Sequence, residues 1–174
     1  SGPLKRSLER FAKFPIATTF DENASFTQPR LILVSVDVAE GSAVNFDSYE
    51  REDGSRKSEY GKYIVQDEKE VGFTHTIRYN EGITADQVIA SASVPLNFGY
   101  STLEVESYNN ATSNYEKNIR YFWDGGIMSN TPLAQVVRLH RQYWLNNKGF
   151  KHSVPRLNIG IVNVHPNKQD TIPS

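Results

Sequence analysis

The amino-acid sequence predicts an α/β protein: a layered sheet with helices on both faces and a small antiparallel excursion. Three observations lead there. Residues 30–38 (Arg-Leu-Ile-Leu-Val-Ser-Val-Asp-Val) and 157–164 (Leu-Asn-Ile-Gly-Ile-Val-Asn-Val) read as buried strands, and near-continuous apolar runs belong to strands covered on both faces. Helical periodicity begins at proline or capping signals near residues 3, 84 and 132. Short strands in the middle third look like antiparallel strands at a sheet edge, which a mostly parallel sheet can carry. Helices set between buried strands favour a layered arrangement.

The first element is an amphipathic helix over residues 3–14. Pro3 suits the first helical position, where its missing N–H costs nothing. Leu4, Leu8, Phe11 and Ala12 fall on one face. Pro15 biases Phe14 away from the helical region and ends the helix. A polar loop over 18–29 leads into the strand at 30–38, which Gly41 and Ser42 interrupt. A second strand is expected over 43–49. The charge-rich stretch from Glu50 to Arg56 alternates in sign, as a solvated turn does. Two more strands follow at 62–65 and 73–79.

Thr84 and Gln87 have the spacing of a capping box, in which each side chain satisfies the other's backbone N–H. The helix they open should run toward Ser93, with Pro95 closing it. Residues 90–95 (Ala-Ser-Ala-Ser-Val-Pro) carry small side chains, which let a helix end approach other backbone; simple helix–sheet packing would explain them equally well. A strand is expected at 103–107, a polar asparagine-rich loop at 109–118, and a strand at 119–123 that presents Asp124. Thr131 and Pro132 cap a helix whose Leu133, Val136, Val137, His140 and Trp144 share one face. Asn146-Asn147-Lys148-Gly149 is its stop signal.

Composition narrows the function classes. With 174 residues the chain suits about one domain. A net charge of −1 gives no basic footprint for nucleic acid. No run of about 18 apolar residues marks a membrane span, and no signal-peptide core opens the chain. The absence of cysteine excludes disulfides and thiolate metal sites and agrees with a reducing compartment. A cytoplasmic location is the expectation, although this piece alone does not establish the compartment. His75, His140, His152 and His165 show no metal-ligand spacing, so no metal is expected. No glycine-rich phosphate loop is present, and no cofactor is expected.

The stretch Tyr121-Phe122-Trp123-Asp124-Gly125-Gly126-Ile127-Met128-Ser129-Asn130-Thr131-Pro132 remains. An aromatic run delivers one carboxylate to two glycines, where the backbone can adopt positive φ or let another chain approach closely. On residue types alone Asp124 has two readings, a site for chemistry or the cap of a bend, and the bend is favoured. Tyr121, Phe122 and Trp123 read as a strand beside a core rather than a binding patch. The Gly-x-Ser-x-Gly turn of a serine nucleophile does not occur in these residues.

Together these segments resemble the patatin-like phospholipases. Asp124-Gly125-Gly126 followed by Asn130 and Pro132 resembles that family's aspartate block, and residues 90–98 (Ala-Ser-Ala-Ser-Val-Pro-Leu-Asn-Phe) resemble the small-residue block ahead of it. Their order agrees too: a buried strand with Asp37, an antiparallel excursion, the small-residue helix, then Asp-Gly-Gly and a helix. The resemblance runs from Arg30 to Val164 and implies a patatin-like fold. It implies a lipid acyl hydrolase using a Ser–Asp dyad, with Asp124 as the dyad acid and a lipid ester as substrate. Asn130 and Pro132 would give structural support only. Because the serine elbow and the oxyanion loop are not in these residues, 1–174 is expected to be the C-terminal portion of a single patatin-like hydrolase domain. It would associate with an N-terminal segment carrying the nucleophile and, alone, would be inactive. A membrane surface stays open as a partner, although no basic amphipathic helix marks one. The competing reading is a non-catalytic binding or scaffold protein with the same fold.

Overall fold

The computed structural model describes residues 2–18, 29–50, 56–66, 69–79, 81–109, 112–128, 133–147 and 154–160. The chain divides into two units, Ser1–Thr131 and Pro132–Ser174. In the first, helix α1 (Pro3–Phe11) is followed by strands β1 (Ile32–Asp37), β2 (Ser42–Asp47), β3 (Lys57–Gln66) and β4 (Lys69–Arg78). Helix α2 (Ala85–Ala90) then leads to β5 (Ser101–Asn109), β6 (Asn114–Asp124) and a single 3-10 turn, Gly125–Ile127.

The described strands form one six-stranded sheet in the order β2-β1-β6-β5-β4-β3. The mixed α/β class holds. Antiparallel pairing, expected only for a small excursion, runs through every described ladder. The sheet curls, because its two edge strands β2 and β3 lie against each other. The β4–β5 ladder is short, Ile77↔Ser107 and Arg78↔Glu106, and lets the sheet bend there. Polar bonds close the curl: Tyr79 Oη accepts from Asp47 N at 2.6 Å, and Arg56 Nε donates to Ser48 O at 3.1 Å.

Inside the curl Val44, Phe46, Ile77, Ile83, Ala90, Leu103, Val105 and Phe122 form the core. Phe46 meets Tyr79 and Phe122 edge-to-face, with ring centroids 5.5 and 5.6 Å away, the geometry that aromatic quadrupoles favour. Ser35, Val36 and Asp37 are buried in succession, so the end of β1 is covered on both faces as its apolar run predicts. The capping box of α2 is complete: Thr84 N donates to Gln87 Oε1 at 2.8 Å and Gln87 N to Thr84 Oγ1 at 3.4 Å. Gly82, at φ +103°, passes so close to Ile16 that a Cβ would stand 2.5 Å from its carbonyl oxygen. That approach allows the Ile16–Ile83 bridge, which ties the segment after α1 to the sheet unit. Helix α1 leans on α2 but none of its residues is buried.

Several expectations are corrected. The loop expected at 109–118 is largely hairpin, with Asn114–Asn118 inside β6. Polar cross-strand contacts replace apolar ones there: Tyr108 and Tyr115 meet edge-to-face at 5.3 Å, and Asn118 Nδ2 donates to Ser107 Oγ at 2.7 Å. Ser113 takes the positive φ of 53° at the turn. The strands expected at 62–65 and 73–79 belong to a longer β3–β4 hairpin, in which 62–65 lies toward the turn and 73–78 toward the open end. Arg56 is buried rather than solvated, because Ser48 O and Glu50 Oε2 accept from its guanidinium. The turn residues 52–55 lie outside the described residues.

In the second unit, helix α3 (Leu133–Gln142) runs into a π-turn, Tyr143–Asn147. Trp144 Nε1 donates to His140 Nε2 at 3.1 Å along one helix face. The final buried strand expected at 157–164 is not formed over 157–160, where the chain has no regular structure and Ile159 is exposed. An extended segment needs a ladder partner for its N–H and C=O groups, and the described residues of this unit contain no strand. Residues 161–164 lie outside the described residues. Among the described residues no helix is long and apolar enough to cross a membrane.

Candidate active site

Asp124 is the last residue of β6 and the N-cap of the 3-10 turn. Its Oδ1 accepts from Gly126 N at 2.7 Å. The carboxylate therefore caps its own turn, as the Asp-Gly signal predicts, and is held in one orientation by doing so. It is half-buried. Gly125 is required for close approach: a Cβ there would meet the Val34 carbonyl oxygen and lie 2.5 Å from its carbon and 2.6 Å from Val34 Cγ1. Without a side chain the turn lies flush against β1.

The two sequence blocks meet here. Asp124 N donates to Ser93 O at 2.9 Å. Ser93 is itself buried, its Oγ donating to Ile89 O at 2.8 Å and lying 2.6 Å from Ser101 Oγ. A hydroxyl carries one hydrogen, so Ser101 supplies the donor in the second contact. The small-residue segment thus ends α2 on a bonded serine whose free carbonyl anchors the aspartate turn.

The chain on either side of Asp124, and the loop after Ser93, expose apolar side chains. Ile127, which ends the turn, and Met128 after it are both exposed. Leu96, fully exposed at φ +71°, and Phe98 lie in the loop after α2. Tyr100 packs on Trp123 at 5.1 Å and on Tyr121 at 5.8 Å between ring centroids. Of the aromatic run only Phe122 is a core residue; Tyr121 is exposed and Trp123 half-buried. A cleft of about 450 Å³ lined by Arg78, Glu81, Thr84, Glu104, Glu106 and others does not include Asp124.

Other residues singled out in the sequence have different work. Asp37 is fully buried; its Oδ1 accepts from Ala39 N at 3.1 Å and Glu40 N at 3.2 Å, and Arg120 Nη1 lies 3.3 Å from Oδ2. It holds the β1–β2 turn to β6. Asn130 and Pro132 lie outside the described residues. Missed in the sequence was Ser35, the cross-strand partner of Asp124. Its one signal is that it interrupts the apolar run. Chemically the arrangement offers a carboxylate fixed through one oxygen and able to accept a hydrogen bond from a hydroxyl, the requirement for a positioned general base.

The Patatin family model, described as patatin-like phospholipase, matches residues 1–137. No curated protein and no solved structure gives a significant match. That match spans the sheet, both sequence blocks and Asp124, and the chain belongs to the patatin-like phospholipase family.

Proposed function

We propose that the protein is a lipid acyl hydrolase acting on phospholipid or similar lipid esters, with Asp124 as the acid of a Ser–Asp dyad. The serine is supplied from outside these residues, and 1–174 is the C-terminal portion of one hydrolase domain. The reading rests on a single observation: Asp124 is anchored at its backbone by Ser93 O and at one carboxylate oxygen by Gly126 N. In the proposed reaction the carboxylate accepts a hydrogen bond from the serine hydroxyl and takes its proton as oxygen attacks the ester carbonyl. The same proton then goes to the departing alcohol. Family membership supports a hydrolase, and the exposed apolar side chains flanking Asp124 suit an acyl chain.

The test is hydrolysis of p-nitrophenyl acyl esters by the protein expressed from its complete reading frame, beside Asp124→Asn. Loss of nearly all turnover in a folded variant is the expected result. Near wild-type turnover would remove Asp124 from the mechanism.

A further inference from the structure

Helix α1 is amphipathic and keeps its apolar stripe open. Leu4, Leu8 and Phe11 stand at i, i+4 and i+7, the spacing of one helix face. No residue of the helix is buried: Leu4 is 54% exposed and Phe11 91%, while Leu8 is half-buried. A single exposed apolar side chain is ordinary. Two on one stripe of one helix, covered by none of the described residues, form a surface that forfeits the gain of burial.

The rest of the helix surface is cationic. Lys5, Arg6, Arg10 and Lys13 stand against Glu9 alone, in a chain whose net charge is −1. Arg6, Arg10 and Lys13 are exposed. An apolar face carrying Leu and Phe, opposed by a polar face rich in Lys and Arg, is the make-up of a helix that lies in a membrane interface. The expectation that no basic amphipathic helix marks a membrane surface is therefore corrected: α1 qualifies once its apolar stripe is seen to be uncovered.

Charge and geometry together choose the occupant. One flank of the helix is already engaged, because Lys5 Nζ donates to Asp86 Oδ2 at 2.6 Å and Leu8 is half-buried. A protein groove that receives a helix takes its whole apolar face, and α1 offers one side of that face. A flat anionic surface needs only that side. Leu4 and Phe11 can enter below the headgroups while the basic side chains extend to headgroup level.

We infer that α1 is a docking helix for an anionic lipid surface. The docking follows from the helix itself; its use, which is to bring lipid esters to Asp124, rests on the hydrolase reading above. The two are mechanically linked. Asp86, at the start of α2, holds Lys5, and Ser93 O, past its end, holds Asp124 N. The segment between those anchors is about 10 Å long at the helical rise.

The test uses the protein expressed from its complete reading frame and vesicles of phosphatidylcholine with or without phosphatidylserine. Flotation should recover the protein with the anionic vesicles and not with the neutral ones, and exchange of the α1 amides should slow on the anionic ones. Arg10→Gln with Lys13→Gln should weaken partitioning roughly 30-fold, the effect of two cations at such a surface. Phe11→Ser should weaken it about tenfold. These side chains are exposed, so the variants should unfold at the wild-type temperature and keep wild-type turnover of a water-soluble p-nitrophenyl ester. Equal recovery on neutral and anionic vesicles, or unchanged partitioning in both variants, overturns the inference. So do α1 amides already protected without lipid; the sedimentation mass then shows whether a second copy or the protein's own chain covers the helix. The two readings fail separately. A protein that floats with anionic vesicles yet cleaves no ester keeps the docking helix and loses the hydrolase, and one that cleaves soluble esters without floating does the reverse.

Discussion

The backbone N–H of Asp124 donates to the carbonyl oxygen of Ser93 at 2.9 Å, so the turn after β6 is fastened to the end of α2. Ser93 is fixed in place for that bond by its hydroxyl, which donates to Ile89 O and lies 2.6 Å from Ser101 Oγ. Two segments that are separately unremarkable in the sequence become one structure through this bond. It gives the small side chains of residues 90–95 a physical purpose, since a bulky residue at Ser93 would push the turn away.

The first prediction concerns the carboxylate. Asp124→Asn keeps the shape of the cap, because the amide oxygen can still accept from Gly126 N. It removes the base. Turnover of acyl esters is expected to fall on the order of 10⁴-fold, the loss typical when one member of such a catalytic pair is neutralised. Circular dichroism and thermal unfolding should stay close to wild type, which separates lost chemistry from lost fold.

Gly125→Ala is expected to destabilise through sterics alone. The added Cβ would sit 2.5 Å from the Val34 carbonyl carbon and 2.6 Å from Val34 Cγ1, so β1 or the turn must move. Overpacking of this kind costs about 1–3 kcal/mol, or roughly 2–4 °C of Tm per kcal/mol in a chain of this size. Gly99→Ala is the control, because a Cβ there meets nothing within 4 Å; its effect should stay within about 0.5 kcal/mol. Equal effects at the two glycines would show that the close approach to Val34 does not decide stability.

What could be read in advance divides by sequence distance. The Thr84–Gln87 capping box was legible because both partners sit within one helical turn and each names the other. The apolar run of β1 was legible because burial on both faces removes alternation. The Asp-Gly-Gly turn was legible as a turn, and the role proposed for it came with the resemblance that the neighbouring block completes. The first half of β6 was not, because asparagines and charges at 114–118 look like loop until Tyr108 and Ser107 stand opposite. Arg56 was misread for the same reason: the acceptors that bury it, Ser48 O and Glu50 Oε2, come from the segment just after β2. Ser35 is the sharpest case, because nothing local distinguishes it from any other serine in a strand, and only the register sets it opposite Asp124.

Arg120→Met should be the most damaging single change outside the apolar core. Its Nη1 lies 3.3 Å from Oδ2 of the fully buried Asp37 and 3.1 Å from Glu40 Oε1. Removing the cation takes the Arg120 charge away from a fully buried carboxylate, which Ala39 N and Glu40 N also bond. Breaking one side of a buried pair typically costs about 3–5 kcal/mol. Urea midpoints should show it, and Arg120→Met combined with Asp37→Asn should recover part of the loss. A double variant no more stable than Arg120→Met would mean that the pair is not coupled.

The last prediction sets stability against pH. Lys5 Nζ donates to Asp86 Oδ2 at 2.6 Å and joins α1 to α2. That hydrogen bond raises the Lys5 amine above its ordinary 10.5, with the charge of Asp86 acting in the same direction and desolvation opposing it. A raised folded-state value means that the ammonium is favoured by folding. The contribution is therefore complete below about pH 10.5 and is lost as pH rises through the higher folded-state value. Lys5 is 26% exposed and Asp86 47%, so water and salt screen the pair; about 0.5 kcal/mol is a fair expectation for its worth. Because α1 buries no residue of its own, loss of this tether should appear as fraying of the N-terminal helix before global unfolding. Hydrogen exchange of the α1 amides, compared between wild type and Lys5→Met, should differ near pH 9 and converge once the wild-type lysine is neutral, after correction for the intrinsic pH dependence of exchange. A difference that persists at the alkaline end would assign the effect to the lysine's methylenes packing on α2 rather than to its charge.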